Sequence, residues 1–126
     1  MKKVVIFILL IFAPLGLSAQ AKAPMISFET ETIDYGDIAK GSDGVRTFVF
    51  ENIGDAPLEI QGVGSSCGCT IPKKPEAPIA PGEKGEITVR YDTNRLGVFR
   101  KTVTVNTNVV STSIIALKIK GNVLAN

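Results

Sequence analysis

The chain has 126 residues, which suit one domain of ordinary size and exclude two. Fourteen basic residues face twelve acidic ones, but Lys2 and Lys3 fall in a segment that we predict to be removed, so the remaining charges balance. A neutral domain lacks the basic surface that nucleic-acid-binding proteins need, and a chain without histidine cannot build a Ser–His or Cys–His catalytic pair.

The N-terminal segment has the pattern of a secretory signal peptide. Two lysines precede a run of about ten apolar residues, and small residues follow at a cleavage site. We predict a signal peptide over residues 1–19, with cleavage after Ala19 in preference to Ala21. The alternative, a membrane-spanning helix, needs roughly 20 apolar residues, and Pro14 and Gly16 interrupt this run too early.

The predicted leader decides the expected location. Neither cysteine lies near the cut, so the usual lipid-attachment site is missing, and no later stretch predicts a transmembrane anchor. We therefore expect an exported protein, in the periplasm in preference to the cell surface or the medium. Residues 20–25 are predicted to be a short linker before the domain.

The rest of the chain shows the period-two alternation of β-strands. In residues 86–92, for example, Ile87, Val89 and Tyr91 would face a core while polar residues face water. Val45–Glu51 is apolar on both faces and predicts a central strand or one whose outer face is covered. The predicted strands are 26–30, 33–35 (a short extra strand or an extension of the first), 45–51, 58–63, 86–92, 99–106 and 115–120.

Turn residues separate these runs, and Pro81-Gly82 predicts a turn with a positive φ at its second corner. About seven short strands at a spacing near ten residues are typical of a β-sandwich. We predict an all-β, immunoglobulin-like antiparallel sandwich over residues 26–123. Tryptophan is absent, so the antibody-type Cys…Trp…Cys core is excluded.

The two cysteines, Cys67 and Cys69, are separated by Gly68, and the residue pattern leaves three interpretations open. A disulfide requires Cα atoms about 4.4–6.8 Å apart, which a fully extended i, i+2 pair reaches only with a bend at the glycine. A Cu(I) or zinc site would need further ligands, from carboxylates, Met25 or a second molecule. Alternatively, both are small residues that shape a strand end.

The remaining catalytic candidates are weak. The acidic pairs fall on predicted wet faces or in turns, and we interpret them as surface residues: Glu29 and Glu31, Asp34 and Asp37, Glu83 and Glu86. The Gly62-Val63-Gly64 stretch lacks the third glycine and the helix of a phosphate-binding loop. We predict no catalytic residues and no cofactor.

Several motifs stand along the chain, among them Asp-Tyr-Gly-Asp-Ile at 34–38, Asn-Ile-Gly-Asp-Ala-Pro-Leu at 52–58, Ser-Cys-Gly-Cys-Thr at 66–70 and Pro-Gly-Glu-Lys-Gly at 81–85. Over residues 26–123 they resemble the bacterial "domain of unknown function 1573" family. The Asn-x-Gly-x-x-Pro-Leu part is also similar to Hydin-like and major-sperm-protein-like immunoglobulin folds. The motif residues are Asn52, Gly54, Pro57, Leu58, Gly68, Thr70, Pro81 and Gly82.

The resemblance implies an exported immunoglobulin-like sandwich, a Cys-Gly-Cys segment that belongs to the domain type, and no known reaction. The chain departs from the family pattern at Tyr35, where phenylalanine is usual, and at Ile53. We expect a non-catalytic interaction or structural module of the cell envelope, with an envelope protein or surface component as its partner. The alternative is a thiol-based metal-binding or redox protein that uses Cys67 and Cys69.

Overall fold

Eight β-strands make up the regular structure in the computed structural model, which describes residues 22–125. The predicted signal peptide lies outside the described residues. The strands are β1 (Ile26–Phe28), β2 (Thr32–Ala39), β3 (Val45–Asn52), β4 (Ile60–Ser65), β5 (Thr70–Lys73), β6 (Lys84–Tyr91), β7 (Gly97–Thr107) and β8 (Ile114–Leu124).

The strands form two four-stranded sheets that face each other. The first sheet has the order β1-β3-β6-β5 and the second the order β2-β8-β7-β4. Six strand pairs form the two sheets; five are antiparallel, and β2 runs parallel to β8. The all-β sandwich is confirmed, and the expectation of a purely antiparallel arrangement is wrong at this one pair.

Three details differ from the predicted strands. Residues 33–35 belong to an eight-residue strand of the second sheet, because the chain turns at Thr30 and leaves the sheet that holds β1. Leu58 makes only an isolated bridge with Ile79, and β4 begins two residues later. The strand β5 is missing from the prediction because Pro72 interrupts the pattern, and an edge strand tolerates a proline.

The core lies between the sheets and consists of the rows that the alternation predicts. The first sheet contributes Phe48, Phe50, Ile87 and Val89, and the second contributes Val103, Val105, Leu117 and Ile119; all eight are fully buried. Burial of one such side chain stabilises the fold by about 1.5–3 kcal/mol. β3 is a central strand, as predicted, and its outer face carries the exposed Val45 and the half-buried Val49.

Candidate functional site

The two cysteines lie in the loop that carries the chain from one sheet to the other. β4 belongs to the second sheet and β5 to the first, and residues 66–69 connect them. A disulfide joins Cys67 to Cys69 across a Cα–Cα distance of 5.4 Å. The chain reaches this distance because it turns here, with the Thr70 amide donating to the Cys67 carbonyl at 3.4 Å. The function of the pair stays a prediction.

Hydrogen bonds hold this cysteine loop to both sheets. On the side of the second sheet, the Ser66 amide donates to the Thr102 carbonyl at 3.1 Å. On the side of the first sheet, the Asp92 amide donates to the Cys69 carbonyl at 2.9 Å. The Ser65 hydroxyl lies 2.8 Å from the Thr70 carbonyl oxygen and thus closes the base of the loop. The loop that carries the disulfide is therefore hydrogen-bonded to both sheets.

The two cysteines differ in exposure. Cys69 is buried, with 5% of its surface exposed, and its sulfur lies 3.9 Å from the Thr70 hydroxyl. Cys67 is half-buried and packs against the edge of the core. Gly68 lies between them with open space where a Cβ would be. A reagent from solution would therefore reach the bond from the side of Cys67.

A surface cleft of about 500 Å³ lies beside the cysteine loop. Three loops that are distant in sequence meet here, and backbone contacts join them. The Gly41 amide donates to the Thr93 carbonyl at 3.1 Å, and the Thr93 hydroxyl donates to the Ser42 carbonyl at 2.6 Å. The lining consists of residues 41–45, Gly68, Cys69, Ile71 and residues 90–94. Apart from Gly68 and Cys69, sequence analysis singled out none of these as site residues, because only the fold brings them together.

A cluster of aromatic side chains includes Tyr91, which lines the cleft. The rings of Tyr91 and Phe99 stack at 3.8 Å between centroids, and Tyr35 meets Phe99 edge-on at 5.2 Å. The Tyr35 hydroxyl donates to the Gly44 carbonyl at 2.8 Å, and the Arg46 guanidinium lies 4.1 Å above the Tyr35 ring. Burial raises the pKa of Tyr35 to about 12 and also raises that of Tyr91. Both phenols therefore stay neutral at ordinary pH.

The motif residue Asn52 lies at the other end of β3, away from the cysteine loop. Its side chain is fully buried, and every polar atom of its amide has a partner. Nδ2 donates to the carbonyls of Ala56 and Ile79 at 2.8 and 2.9 Å. Oδ1 accepts from the amides of Gly54 and Met25 at 2.9 and 3.4 Å. Asn52 thus holds three separate segments together.

The neighbouring motif residues complete this structural cluster. Gly54 allows close approach of the N-terminal segment, because a Cβ there would overlap the backbone of Ala23 and Met25. Leu58 is fully buried and exchanges two backbone hydrogen bonds with Ile79. Gly82 has a φ of +83°, which confirms the turn predicted at Pro81-Gly82.

Two other motif residues, Thr70 and Pro57, have different surroundings. Thr70 is buried at the base of the cysteine loop, whereas Pro57 is exposed and its carbonyl accepts a hydrogen bond from Asn108. Of the motif residues, only Gly68 lies in the cysteine loop itself, and Thr70 follows it as the first residue of β5. Within the segment predicted as linker, Ala23 exchanges hydrogen bonds with Asp55.

The acidic residues of the sequence prediction are exposed, and among residues 22–125 no three histidine, cysteine or carboxylate side chains are grouped as metal ligands. Over the same residues no helix is long and apolar enough to cross a membrane.

Solved structures with the same fold come from several kinds of protein. A protein of unknown function from Porphyromonas gingivalis W83 has a TM-score of 0.72 at 16% identity, over 85% of this chain and 50% of that one. The PapD-like domain 7 of human CEP192 has a TM-score of 0.67 at 8% identity, over 90% of this chain and 99% of that domain. These likenesses show an immunoglobulin-like, PapD-like sandwich.

A third similar structure belongs to the CsuC–CsuE chaperone–tip adhesion subunit pre-assembly complex from the Csu pili of Acinetobacter baumannii. It has a TM-score of 0.59 at 14% identity, over 79% of this chain and 57% of the matched chain. The present chain therefore spans about half the length of the Porphyromonas and Acinetobacter proteins that it matches.

Among curated proteins, none matches the chain in sequence. A family model does match it, under the description "Protein of unknown function (DUF1573)", over residues 26–123. This match covers the whole sandwich from β1 to the last residues of β8, including the Asn52 cluster and the cysteine loop. The chain therefore belongs to the DUF1573 family.

Proposed function

We propose that this protein is an exported, non-catalytic module that binds a protein partner in the bacterial cell envelope. The observation that carries the proposal is the PapD-like sandwich, which occurs as a separate domain in one similar structure and within a chaperone–subunit complex in another. A sandwich of this kind offers loops and sheet edges as binding surfaces, and both recognise partners by shape and backbone hydrogen bonds.

The proposed location follows from two further features. The leader over residues 1–19 has the composition of a signal peptide, and cleavage after Ala19 would release the chain from the membrane. The similarity to a chain of a pilus assembly complex supports an envelope context. The partner is proposed to be an envelope protein or surface component in preference to nucleic acid, because the charges balance once residues 1–19 are removed.

The proposal is tested with the processed protein purified from the periplasm. N-terminal sequencing should begin at Gln20, and the labelled protein should bind solubilised envelope fractions saturably. An excess of folded, unlabelled protein should compete for this binding. The same excess of unfolded protein should not compete. An unprocessed chain retained in the cytoplasm, or envelope binding that never saturates, would refute the proposal.

The disulfide between Cys67 and Cys69 favours a thiol redox role as the second candidate function. In the reaction, a dithiol donor would reduce the bond to two thiols and would itself be oxidised to a disulfide, with two electrons and two protons transferred. The metal-binding version uses the reduced thiolates as Cu(I) or zinc ligands.

Thiol counting on the periplasmic protein distinguishes these states. Free thiols that re-oxidise reversibly support the redox candidate, and one bound Cu(I) per chain supports the metal candidate. A variant with both Cys67→Ser and Cys69→Ser should lose either property and keep its β-sheet circular dichroism. Envelope binding that survives in this variant would assign the cysteines no part in the interaction.

A further inference from the structure

The sandwich has four strand edges, and three of them carry features that oppose the addition of another strand. Unpaired backbone groups at an edge bind other strands unless the protein blocks them. β1 is only three residues long, and β2 carries an irregularity between Asp34 and Asp37, two exposed carboxylates. Edges of this kind are poor acceptors for an extended peptide.

The third blocked edge is β5. The hydrogen bond from the Asp92 amide to the Cys69 carbonyl fixes which residues of β5 face β6, because such pairs alternate along an antiparallel ladder. Thr70 and Pro72 therefore direct their backbone groups outward. The Thr70 amide already donates to the Cys67 carbonyl, and the Thr70 carbonyl already accepts from the Ser65 hydroxyl. Pro72 has no N–H.

β4 has a register irregularity of its own between Ile60 and Gly62, but from Gly62 to Ser65 it has none of these features. The hydrogen bond from the Ser66 amide to the Thr102 carbonyl fixes the alternation here too. Gly62 and Gly64 thus bond with β7, while Val63 and Ser65 direct an N–H and a C=O each away from it. Within the described residues no backbone partner meets these four groups, and the strand contains no charged residue and no proline.

The side chains of β4 leave room for a neighbour. A Cβ on Gly64 would meet no atom within 4 Å, and one on Gly62 would meet only the Asn106 side-chain amide at 3.7 Å. The outer face of the edge is therefore a shallow hollow. A cleft of about 400 Å³ also separates the start of β4 from residues 74–78. Large side chains on an added strand cover glycines of this kind favourably.

We propose that the edge of β4 accepts an extended segment of the envelope partner, which adds to the second sheet as a fifth strand. The segment has bulky side chains, aromatic ones above all, opposite Gly62 and Gly64, and it exchanges backbone hydrogen bonds with Val63 and Ser65. This inference rests on the proposed function, because it names the surface through which the module binds.

A synthetic peptide tests the hydrogen-bond pattern without knowledge of the partner. The probe alternates valine and tyrosine over five residues between terminal lysines, with valines opposite Val63 and Ser65. Nuclear magnetic resonance titration of the processed protein should give saturable shifts centred on these two amides. N-methylation of two valines should weaken binding at least tenfold, because each lost hydrogen bond costs about fivefold in affinity. N-methylated tyrosines should leave binding unchanged, since their amides face away from β4.

Two variants test the same edge against the natural partner. Gly64→Lys places a positive charge at the edge strand β4. The control, Ala116→Lys, places the same charge at an exposed position of β8, which lies in the same cross-strand row but two strands away from the edge. Both should keep the wild-type melting temperature. Gly64→Lys should lower envelope binding at least tenfold, and Ala116→Lys should leave it unchanged.

The outcomes separate this inference from the proposed function. Envelope binding that both lysine variants retain would overturn the β4 site and leave the function standing. Absence of any saturable envelope binding by the wild type would refute the function, while the peptide result would still decide whether β4 accepts a strand. If N-methylation of the tyrosines weakened peptide binding as much as N-methylation of the valines, strand addition would be overturned. A dimer that only Gly64→Lys dissociates would also overturn it, because a second copy would then occupy the edge.

Discussion

Replacement of Asn52 by alanine should destabilise the sandwich strongly, although the residue lies far from the candidate cleft. Among residues 22–125, the substitution leaves three backbone groups without another hydrogen-bond partner: the Gly54 amide, the Met25 amide and the Ala56 carbonyl. The Ile79 carbonyl keeps a second donor, the Leu58 amide, and therefore loses less. An unsatisfied buried group costs about 1–3 kcal/mol. These three groups are only partly buried and the Met25 contact is long at 3.4 Å, so we expect a loss of about 2–4 kcal/mol.

This loss is a large fraction of the roughly 5–15 kcal/mol that stabilises a typical domain. It corresponds to a fall in melting temperature of roughly 10–20 °C for a domain of this size. The assay is urea unfolding at pH 7, followed by circular dichroism, with the free energy of unfolding extrapolated to zero denaturant. Asn106→Ala removes an exposed asparagine from β7 and should change stability by less than about 0.5 kcal/mol.

An isosteric variant separates hydrogen bonding from packing. Asn52→Asp keeps an acceptor for Gly54 but turns the donor into an oxygen that faces two carbonyls. Burial and these carbonyls should raise the pKa of the new carboxyl above its ordinary value near about 4. The variant should therefore be least stable at neutral pH and recover as the carboxyl is protonated. A loss below about 1 kcal/mol for Asn52→Ala, with Asn52→Asp equally mild at pH 7, would refute the reasoning.

Three further predictions concern the cysteine loop, the aromatic cluster and a tightly packed glycine. Reduction of the Cys67–Cys69 disulfide should lower the free energy of unfolding by only about 1–2 kcal/mol, since the bridged loop is very short; a loss of β-sheet circular dichroism on reduction would contradict this. Because burial raises the pKa of Tyr35 to about 12 in the folded protein, its contribution to stability is complete below the unfolded value near 10 and is lost as pH rises towards 12. The stability difference between wild type and Tyr35→Phe should therefore fall over this range, by up to about 1.4 kcal/mol per pH unit, and a constant difference in alkaline denaturant titrations would disprove the assignment. Gly121→Ala should cost about 1–3 kcal/mol because its Cβ would lie 2.8 Å from that of Tyr35 and 2.9 Å from the Phe99 ring, whereas Gly62→Ala should be nearly neutral in the same unfolding assay.

Some of the candidate site was visible in the sequence and some was not. The Cys-Gly-Cys segment and the Pro81-Gly82 turn depend on neighbours in the chain, so local chemistry was enough to find them. The spacing of Cys67 and Cys69 left a disulfide, a metal site and a purely structural pair open, because the bend that brings the Cα atoms to 5.4 Å depends on loop anchoring by both sheets. The cleft residues around Thr93 carry no local signal and were missed.

The sequence by itself determined which faces of the strands are buried. A strand alternates its side chains with a period of two, so Ile87 and Val89, or Leu117 and Ile119, could be assigned to the core from their spacing alone. Only the tertiary structure decided which strands pair, that β2 runs parallel to β8, and that β4 ends as an unprotected edge. The physical reason is that pairing, edge position and the partners of Asn52 depend on contacts between residues far apart in the chain, which no local pattern encodes.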